Sequence, residues 1–398
     1  MQKVVIIGGG ASGMIAAIKA SELNEVILIE ANDKCGKKLL LTGNGKCNYW
    51  NDNICLDNYF TDDKAKLKNI LNYKDEVLDF LYKLGLYPKI KNGYYYPYSA
   101  QASSVREILA LELERRNVKV LYNSKVLNIK KMDHKFLIKL DGDTIEADKI
   151  IIATGSKAFP KTGSEGAGYA FTKGLGHSIN PVLPALVQLK ADEFYLKEWN
   201  GVRQDAELTL YVDNKIMACE AGELQMTQDG ISGICTFNIS SIASRALYEN
   251  KSVEVKINFS PFIDESFYEF FDKRATLIPN QNIGQLLESI LNYKLINVIF
   301  KKSNISKNAY WKSLTENEKR ILCSNVDDFR IKIIDTNSVD KGQVCTGGVP
   351  LAEVDNNLHS NICTGLYLVG EILDVDGKCG GFNLAFAFIS GYLAGKVV

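Results

Sequence analysis

Residues 3–14 read KVVIIGGGASGM, and residues 25–30 read EVILIE. The apolar run 4–7 has the pattern of a strand buried on both faces. Gly8, Gly10 and Gly13 follow at G-x-G-x-x-G spacing. The first glycine permits a tight turn, the second lets backbone approach a pyrophosphate, and the third lets helix and strand pack closely. A helix opening at Ala11 and Ser12 then points its N-terminal N–H groups and positive dipole end at the phosphates. A second buried strand over 26–29 closes on Glu30, followed by Ala31. A carboxylate at that place accepts hydrogen bonds from the ribose hydroxyls of an adenosine. Strand, glycines, helix, strand and acid in this order predict a dinucleotide site on a Rossmann-like sheet.

The next stretch, GKKLLLTGNGKCN at 36–48, is glycine-rich and basic. Its backbone can wrap an extended phosphate or flavin, with Lys37, Lys38 and Lys46 supplying charge. A helix is expected around 104–116, from Val105, Ile108, Leu109 and Leu113 at three-to-four spacing, and leads into a strand at 118–122. Residues 125–131, 135–140 and 144–147 read as a small antiparallel meander. A third buried strand over 149–153 ends in Ala153, Thr154 and Gly155, a strand end typical of flavoproteins. Near the C-terminus, GLYLVGE at 365–371 is a buried strand ending in Gly370 and Glu371. The run GGFNLAFAFISG at 380–391 then starts a helix at Gly380, Gly381, Phe382 and Asn383. In FAD proteins of the glutathione-reductase type, an acid at such a strand end holds the ribityl hydroxyls. The helix aims its N-terminus at the flavin N1/O2 edge, where negative charge collects on reduction.

Bulk composition points the same way. The chain has 398 residues, enough for two or three domains with ample core. Lys+Arg and Asp+Glu both number 47, so the formal net charge is zero and nothing in it suggests nucleic acid or an anionic membrane. The chain begins directly with a buried strand, leaving no room for a signal peptide. No apolar run approaches the roughly 20 residues needed to span a bilayer. A cytoplasmic enzyme is expected. Nine cysteines include no C-x-x-C pair, which argues against a disulfide framework, a zinc knuckle or a redox dithiol. They read as mostly reduced, small buried residues. No metal-ligand constellation is present.

Four further motifs carry a resemblance: the 36–48 segment; GYYYPYSAQA at 93–102; TGSEGAGY at 162–169 with GLGH at 174–177; and TGGV at 346–349 leading to Gly370-Glu371 and to Gly380–Asn383. With them the chain resembles, end to end, the bacterial family of FAD-dependent oxidoreductases that includes aminoacetone oxidase and the bile-acid dehydro-reductase of gut clostridia. Two departures stand out. Lys46 replaces the arginine that family members usually carry before Cys47, and Thr42 replaces the usual serine before Gly43. Lysine cannot make arginine's bidentate contact. The resemblance implies non-covalent FAD held by Gly8, Gly10–Gly13, Glu30, Ala31, Lys37, Lys38, Gly43, Gly45, Cys47, Asn48, Val126, Ala153–Gly155, Gly348, Gly370, Glu371 and Gly380–Asn383.

The middle of the chain fits the same architecture. Residues 203–217 and 253–259 are β-like, 262–323 helix-like, and 326–334 β-like again. The expected fold class is α/β: a discontinuous, Rossmann-like FAD/NAD(P)-binding domain of the glutathione-reductase type (1–187 and 341–398). Into it are inserted a β-barrel (188–260 and 324–340) and a small helical subdomain (261–323).

FAD brings the redox chemistry, so the protein must position the ring, exclude water and orient a substrate. No second strand–G-x-G-x-x-G–helix unit is visible for NAD(P)H. A nicotinamide therefore binds transiently against the flavin, or electrons come from the organic substrate. Candidate acid–base groups are few: Tyr96 within the run 94–96, Cys47 in the flavin loop, and His177 after Gly176. Each has a structural alternative: strand packing, a small buried residue, and a helix-end cap. His134 and His359 read as surface residues. Arg203 reads as a carboxylate anchor or an ordinary salt bridge, the latter favoured. The leading expectation is hydride transfer between flavin and a small or medium organic substrate in a cleft where barrel and FAD domain meet. An NAD(P)H-linked reductase of a carbon–carbon double bond is favoured over an amine oxidase producing peroxide. A flavin-dependent RNA-modifying protein and a non-catalytic flavin-binding regulator are the rivals. Oligomeric state and substrate identity are not readable from the chain.

Overall fold

A computed structural model describes all residues, 1–398, and divides them into two compact units. The first comprises Met1–Leu183 and Val339–Val398. Strand β1 (Lys3–Ile7) lies at the centre of a five-stranded sheet. It pairs in parallel with β2 (Glu25–Ile29) on one side and with Lys149–Ile152 on the other. Lys119–Leu121 and Leu366–Leu368 add the outer strands, also in parallel. Val4, Val5 and Ile6 are fully buried, as a strand covered by helices on both faces must be.

Helix α1 (Ala11–Ala20) crosses one face of the sheet, and the C-terminal helix Phe382–Val397 packs on α1. The C-terminal helix is buried nearly all round, so it has no polar stripe to betray a periodicity. Two glycines on one of its faces set the close approach. A Cβ on Gly391 would stand 2.3 Å from the Ser12 carbonyl oxygen, and one on Gly395 would stand 2.6 Å from that of Ala16. The antiparallel meander Asn128–Met132, Lys135–Lys139 and Thr144–Ala147 forms as expected, as does the helix Ala102–Arg115. A second small sheet was not foreseen: Trp50–Asn51 and Pro88–Lys91 flank Tyr94–Pro97 in antiparallel register.

The second unit, Pro184–Ser338, holds a closed barrel. Its strands are Leu189–Ala191, Gly230–Ser232, Lys215–Thr227, Arg203–Val212, Val253–Asn258 and Phe329–Thr336, in that neighbour order. Val253–Asn258 alternates buried and half-buried residues, the period-two signature of a strand with one core face. Trp199, Leu208, Leu210, Val255, Ile257 and Ile331 help to fill the core. Four helices, from Phe267–Leu277 to Glu316–Asp327, leave after Val253–Asn258 and return into its barrel neighbour Phe329–Thr336.

One local expectation fails, and two features were not expected. Residues 203–217 are β as expected, but they belong to two strands: Asp213 and Asn214 both take positive φ (48° and 64°) and turn a hairpin. Val326 closes a helix rather than opening a strand, because Thr315 and Glu318 form a capping box that nucleates Glu316–Asp327. A helix at Ile234–Tyr248 stands where none was expected.

Candidate cofactor site

The three glycines of the first turn are needed for three different reasons. Gly8 takes φ +104°, donates its N–H to the Ile29 carbonyl, and lies so close to Ala153 that a Cβ would meet its oxygen at 2.6 Å. A Cβ on Gly13 would stand 1.9 Å from the Gly8 carbonyl oxygen, which fixes the approach of α1 to β1. Gly10, the N-cap of α1, has nothing within 4 Å of its missing side chain. The space in front of the helix N-terminus is thus open, uncapped by any side chain, and ready for an anion.

Glu30 is buried at 8 % exposure. Its Oε2 accepts from the Gly9 N–H at 2.8 Å, and its Oε1 from the Asn32 N–H and side-chain amide, both at 2.8 Å. Asn32 in turn donates to the Thr162 carbonyl and accepts from Lys37 Nζ at 3.1 Å. Sequence reasoning missed Asn32, although a short polar residue two places after the strand-end acid is the available signal. Cys35 packs against Gly9, and burial, aided by the Glu30 charge, pushes its thiol up to about 12. Val126 is buried just ahead of the meander, and Ala31 is exposed.

The 36–48 loop is built on left-handed backbone: φ is positive at Gly36, Gly43, Asn44, Gly45 and Cys47. The Cys47 N–H returns to the Thr42 carbonyl at 3.0 Å. The Cys47 side chain is completely buried, and burial raises its thiol to about 11. It is a packing residue without access for a nucleophile's work. Lys38 reaches across the chain to Glu371 Oε2 at 2.6 Å.

Glu371 carries the most informative atom of the site. Its Oε2 also accepts from Ser156 Oγ at 3.3 Å, while Oε1 is buried with no hydrogen-bond partner. A buried carboxylate oxygen left unsatisfied in the protein calls for a donor from outside it. Several elements converge here. A Cβ on Gly370 would lie 2.6 Å from Ser12 Oγ at the start of α1, and one on Gly155 would lie 3.7 Å from Glu371 Oε2. Thr154 packs on Gly168, and Gly348 backs onto the Ile372 carbonyl.

Gly381, the N-cap of the C-terminal helix, takes φ +93° and lies against the Trp50 carbonyl and the Asn48 amide. The Asn48 amide nitrogen, oriented by its network, donates to the Trp50 and Tyr95 carbonyls at 3.0 and 3.1 Å. Asn383 holds both the N–H and the carbonyl of Gly377 (2.8 and 2.7 Å), and the buried Phe382 ring meets Tyr59 edge-on. Asp374, also missed from sequence, takes the Gly347 N–H at 2.9 Å and the Asn180 amide at 2.7 Å.

Other sequence candidates fall elsewhere. His177 is buried in a clasp: Nδ1 faces Glu353 at 2.7 Å and Nε2 faces Ser360 Oγ at 2.8 Å, and neither partner belongs to the cradle. His359, expected at the surface, is half-buried, with Nε2 accepting the Gly365 N–H at 2.9 Å and the ring against Tyr367. His134 is exposed, and Arg203 pairs with Glu223 at the barrel surface. In the tyrosine run, Tyr95 turns inward and donates to Asp52 at 2.6 Å, while Tyr94 and Tyr96 share the opposite face.

The open helix N-terminus at Gly10, the buried acid at Glu30 and the unpaired Glu371 Oε1 fit FAD, and the class they define is the FAD-dependent oxidoreductases. Residues 2–397 match the model of the HI0933-like protein Rossmann domain, and the chain belongs to this family. It is 39% identical over 411 residues to the 3-dehydro-bile acid delta(4,6)-reductase of Clostridium scindens, covering 100% of this chain and 98% of that protein. It is 28% identical over 397 residues to the ribosomal RNA dihydrouridine synthase of Escherichia coli, covering 98% of this chain and 96% of that one. Among solved structures, 3-ketosteroid-delta4-(5alpha)-dehydrogenase from Rhodococcus jostii shares the fold, with a TM-score of 0.51 at 13% identity, over 99% of this chain and 96% of that chain. No helix is long and apolar enough to cross a membrane.

Proposed function

We propose that this flavoprotein reduces a carbon–carbon double bond conjugated to a carbonyl, in a flat organic substrate of the steroid type, with NAD(P)H as electron donor. One observation carries the reading. Two full-length relatives have names that denote the same bond chemistry: a bile-acid delta(4,6)-reductase acting beside a 3-oxo group, and an enzyme that saturates a uracil ring. In both, hydrogen is added across a double bond activated by a carbonyl. The steroid form is favoured by the higher identity, 39% against 28%.

When bound, FAD supplies a two-electron carrier that exchanges a hydride with the substrate. The chain's residues do the rest. The uncapped N-terminus of α1 would hold the pyrophosphate through N–H groups and dipole. Glu30 would accept the adenosine ribose hydroxyls, held in place by Gly9 and Asn32. Glu371 Oε1 would accept a ribityl hydroxyl, with Lys38 fixing the other oxygen. The N-terminus of the C-terminal helix, brought close by Gly380 and Gly381, would face the N1/O2 edge and stabilise negative charge there.

The test is an anaerobic screen of the purified yellow protein. Bleaching by NADH or NADPH, followed by re-oxidation on adding a 3-oxo-4-ene steroid, is the expected result. Bleaching by amines alone, with peroxide formed in air, would establish the aminoacetone-like oxidase instead. Re-oxidation only by uridine in ribosomal RNA would establish the RNA-modifying reading. A flavin inert to every donor would leave the regulator.

A further inference from the structure

Strand Tyr94–Pro97 places the side chains of Tyr94 and Tyr96 on one face, because alternate residues of a strand point the same way. That face looks onto the cofactor cradle. Tyr94 Cε1 lies 2.6 Å from where a Cβ on Gly380 would stand, and Tyr96 Cε1 lies 3.8 Å from where one on Gly43 would stand. The two rings therefore extend from the approach to the C-terminal helix to the flavin loop, and both are half-buried. Four buried tyrosines spend their hydroxyls on the protein, although those of Tyr49 and Tyr195 are buried without a partner. Tyr59 donates to the Phe382 carbonyl, Tyr95 to Asp52, Tyr169 to the Glu371 carbonyl and Tyr392 to Glu76. Tyr94 and Tyr96 are not spent on any protein acceptor. Burial, with Tyr94 alongside, raises the Tyr96 hydroxyl above the ordinary tyrosine value, so at neutral pH it keeps its proton and can donate.

We propose that Tyr94 and Tyr96 form the wall that receives substrate: Tyr94 lies against the flat ring system, and the Tyr96 hydroxyl donates a hydrogen bond to the carbonyl conjugated to the double bond. The inference rests on the reading that the substrate is an unsaturated ketone. Chemistry connects the two parts. Adding hydride to a conjugated alkene moves negative charge onto the carbonyl oxygen, and a donor fixed at that oxygen stabilises the charge as it develops. An aromatic face beside it suits a planar apolar body.

The experiment uses the oxidised FAD-loaded protein titrated with a 3-oxo-4-ene steroid, recording the ultraviolet band of the conjugated ketone and the dissociation constant. In wild type the band shifts to the red on binding, as it does when the carbonyl accepts a hydrogen bond. Tyr96→Phe should abolish the shift and weaken binding roughly threefold to tenfold, the range for one neutral hydrogen bond, with the FAD-to-protein ratio unchanged. Tyr94→Phe should keep the shift, and Tyr94→Ala should weaken binding while keeping it. A red shift that survives in Tyr96→Phe overturns the assignment, as does a wild type that turns the steroid over with no shift. Failure of wild type both to bind and to reduce any unsaturated ketone, with FAD in place, overturns the underlying reading and the wall with it.

Discussion

Replacing Glu371 by alanine should separate cofactor binding from folding. In the protein alone, Glu371 Oε1 is buried without a partner, and a buried unsatisfied acceptor costs about 1–3 kcal/mol. Alanine removes that penalty. It also removes the Lys38 pair, whose side chains are 24% and 16% exposed, and a long hydrogen bond from Ser156 Oγ at 3.3 Å. A partly solvated pair contributes about 1 kcal/mol or less. The two effects oppose each other, so the apoprotein should unfold at an equal or slightly higher denaturant concentration. FAD, by contrast, loses a hydrogen bond to a charged acceptor, about 1.5–3 kcal/mol, or roughly tenfold to a hundredfold in affinity. The assay pairs urea unfolding of the apoprotein with FAD titration followed by quenching of free-flavin fluorescence. Unchanged FAD affinity in a clearly less stable apoprotein would refute the reasoning and make Glu371 a structural acid.

Glu30→Ala should weaken FAD roughly tenfold to a hundredfold for the same reason, read by the same titration; equal FAD affinity would remove Glu30 from the site. Acid precipitation of the native protein should release all colour as FAD, whereas colour left in the pellet would show a covalent link. Gly391→Ala should lower unfolding stability by about 1–3 kcal/mol, the range for overpacking a filled contact, because its Cβ would stand 2.3 Å from the Ser12 carbonyl; an unchanged urea midpoint would contradict the close helix contact. Burial holds the thiols of Cys35 and Cys323 up to about 12 and those of Cys47 and Cys235 up to about 11. The unfolded chain then loses these protons first, so stability should fall as pH rises above the ordinary thiol value of 9.0; a flat urea midpoint from pH 8 to about 10.5 would count against their burial.

The cofactor elements were legible because each leaves a local mark. The run 4–7 needs no partner to read as a two-faced buried strand; Gly8 and Gly13 mark backbone with no room for a side chain, and Gly10 leaves open the space before α1. What escaped has a physical reason in each case. The helix Ile234–Tyr248 buries Ser240, Ser241 and Ser244, small polar residues that blur its apolar stripe. Their use is tertiary: Ser244 Oγ donates to the Pro184 carbonyl at 2.6 Å, and Ser240 Oγ accepts the Val187 N–H at 3.2 Å. Asp374 acts through partners distant in sequence, Gly347 and Asn180, which no spacing rule reaches, whereas Asn32 left only its place two residues after Glu30. The Tyr94–Tyr96 run fixed an alternation but not its phase. Only the pairing with Trp50–Asn51 and Pro88–Lys91 shows that Tyr95 faces inward.

The seam between α1 and the C-terminal helix also bears on biosynthesis. The glycine turn Gly8–Gly13 leaves the ribosome several hundred residues before Gly391 and Gly395, which close against α1. Leu366–Leu368 must still insert beside Lys149–Ile152, after more than two hundred intervening residues have been made. A nascent or truncated chain can therefore present the glycine turn and Glu30 without the acid and helix that would grip the other end of the cofactor. Retention of flavin becomes a report on the completeness of the polypeptide, and a chain stopped short of residue 366 should emerge colourless however well its barrel has folded.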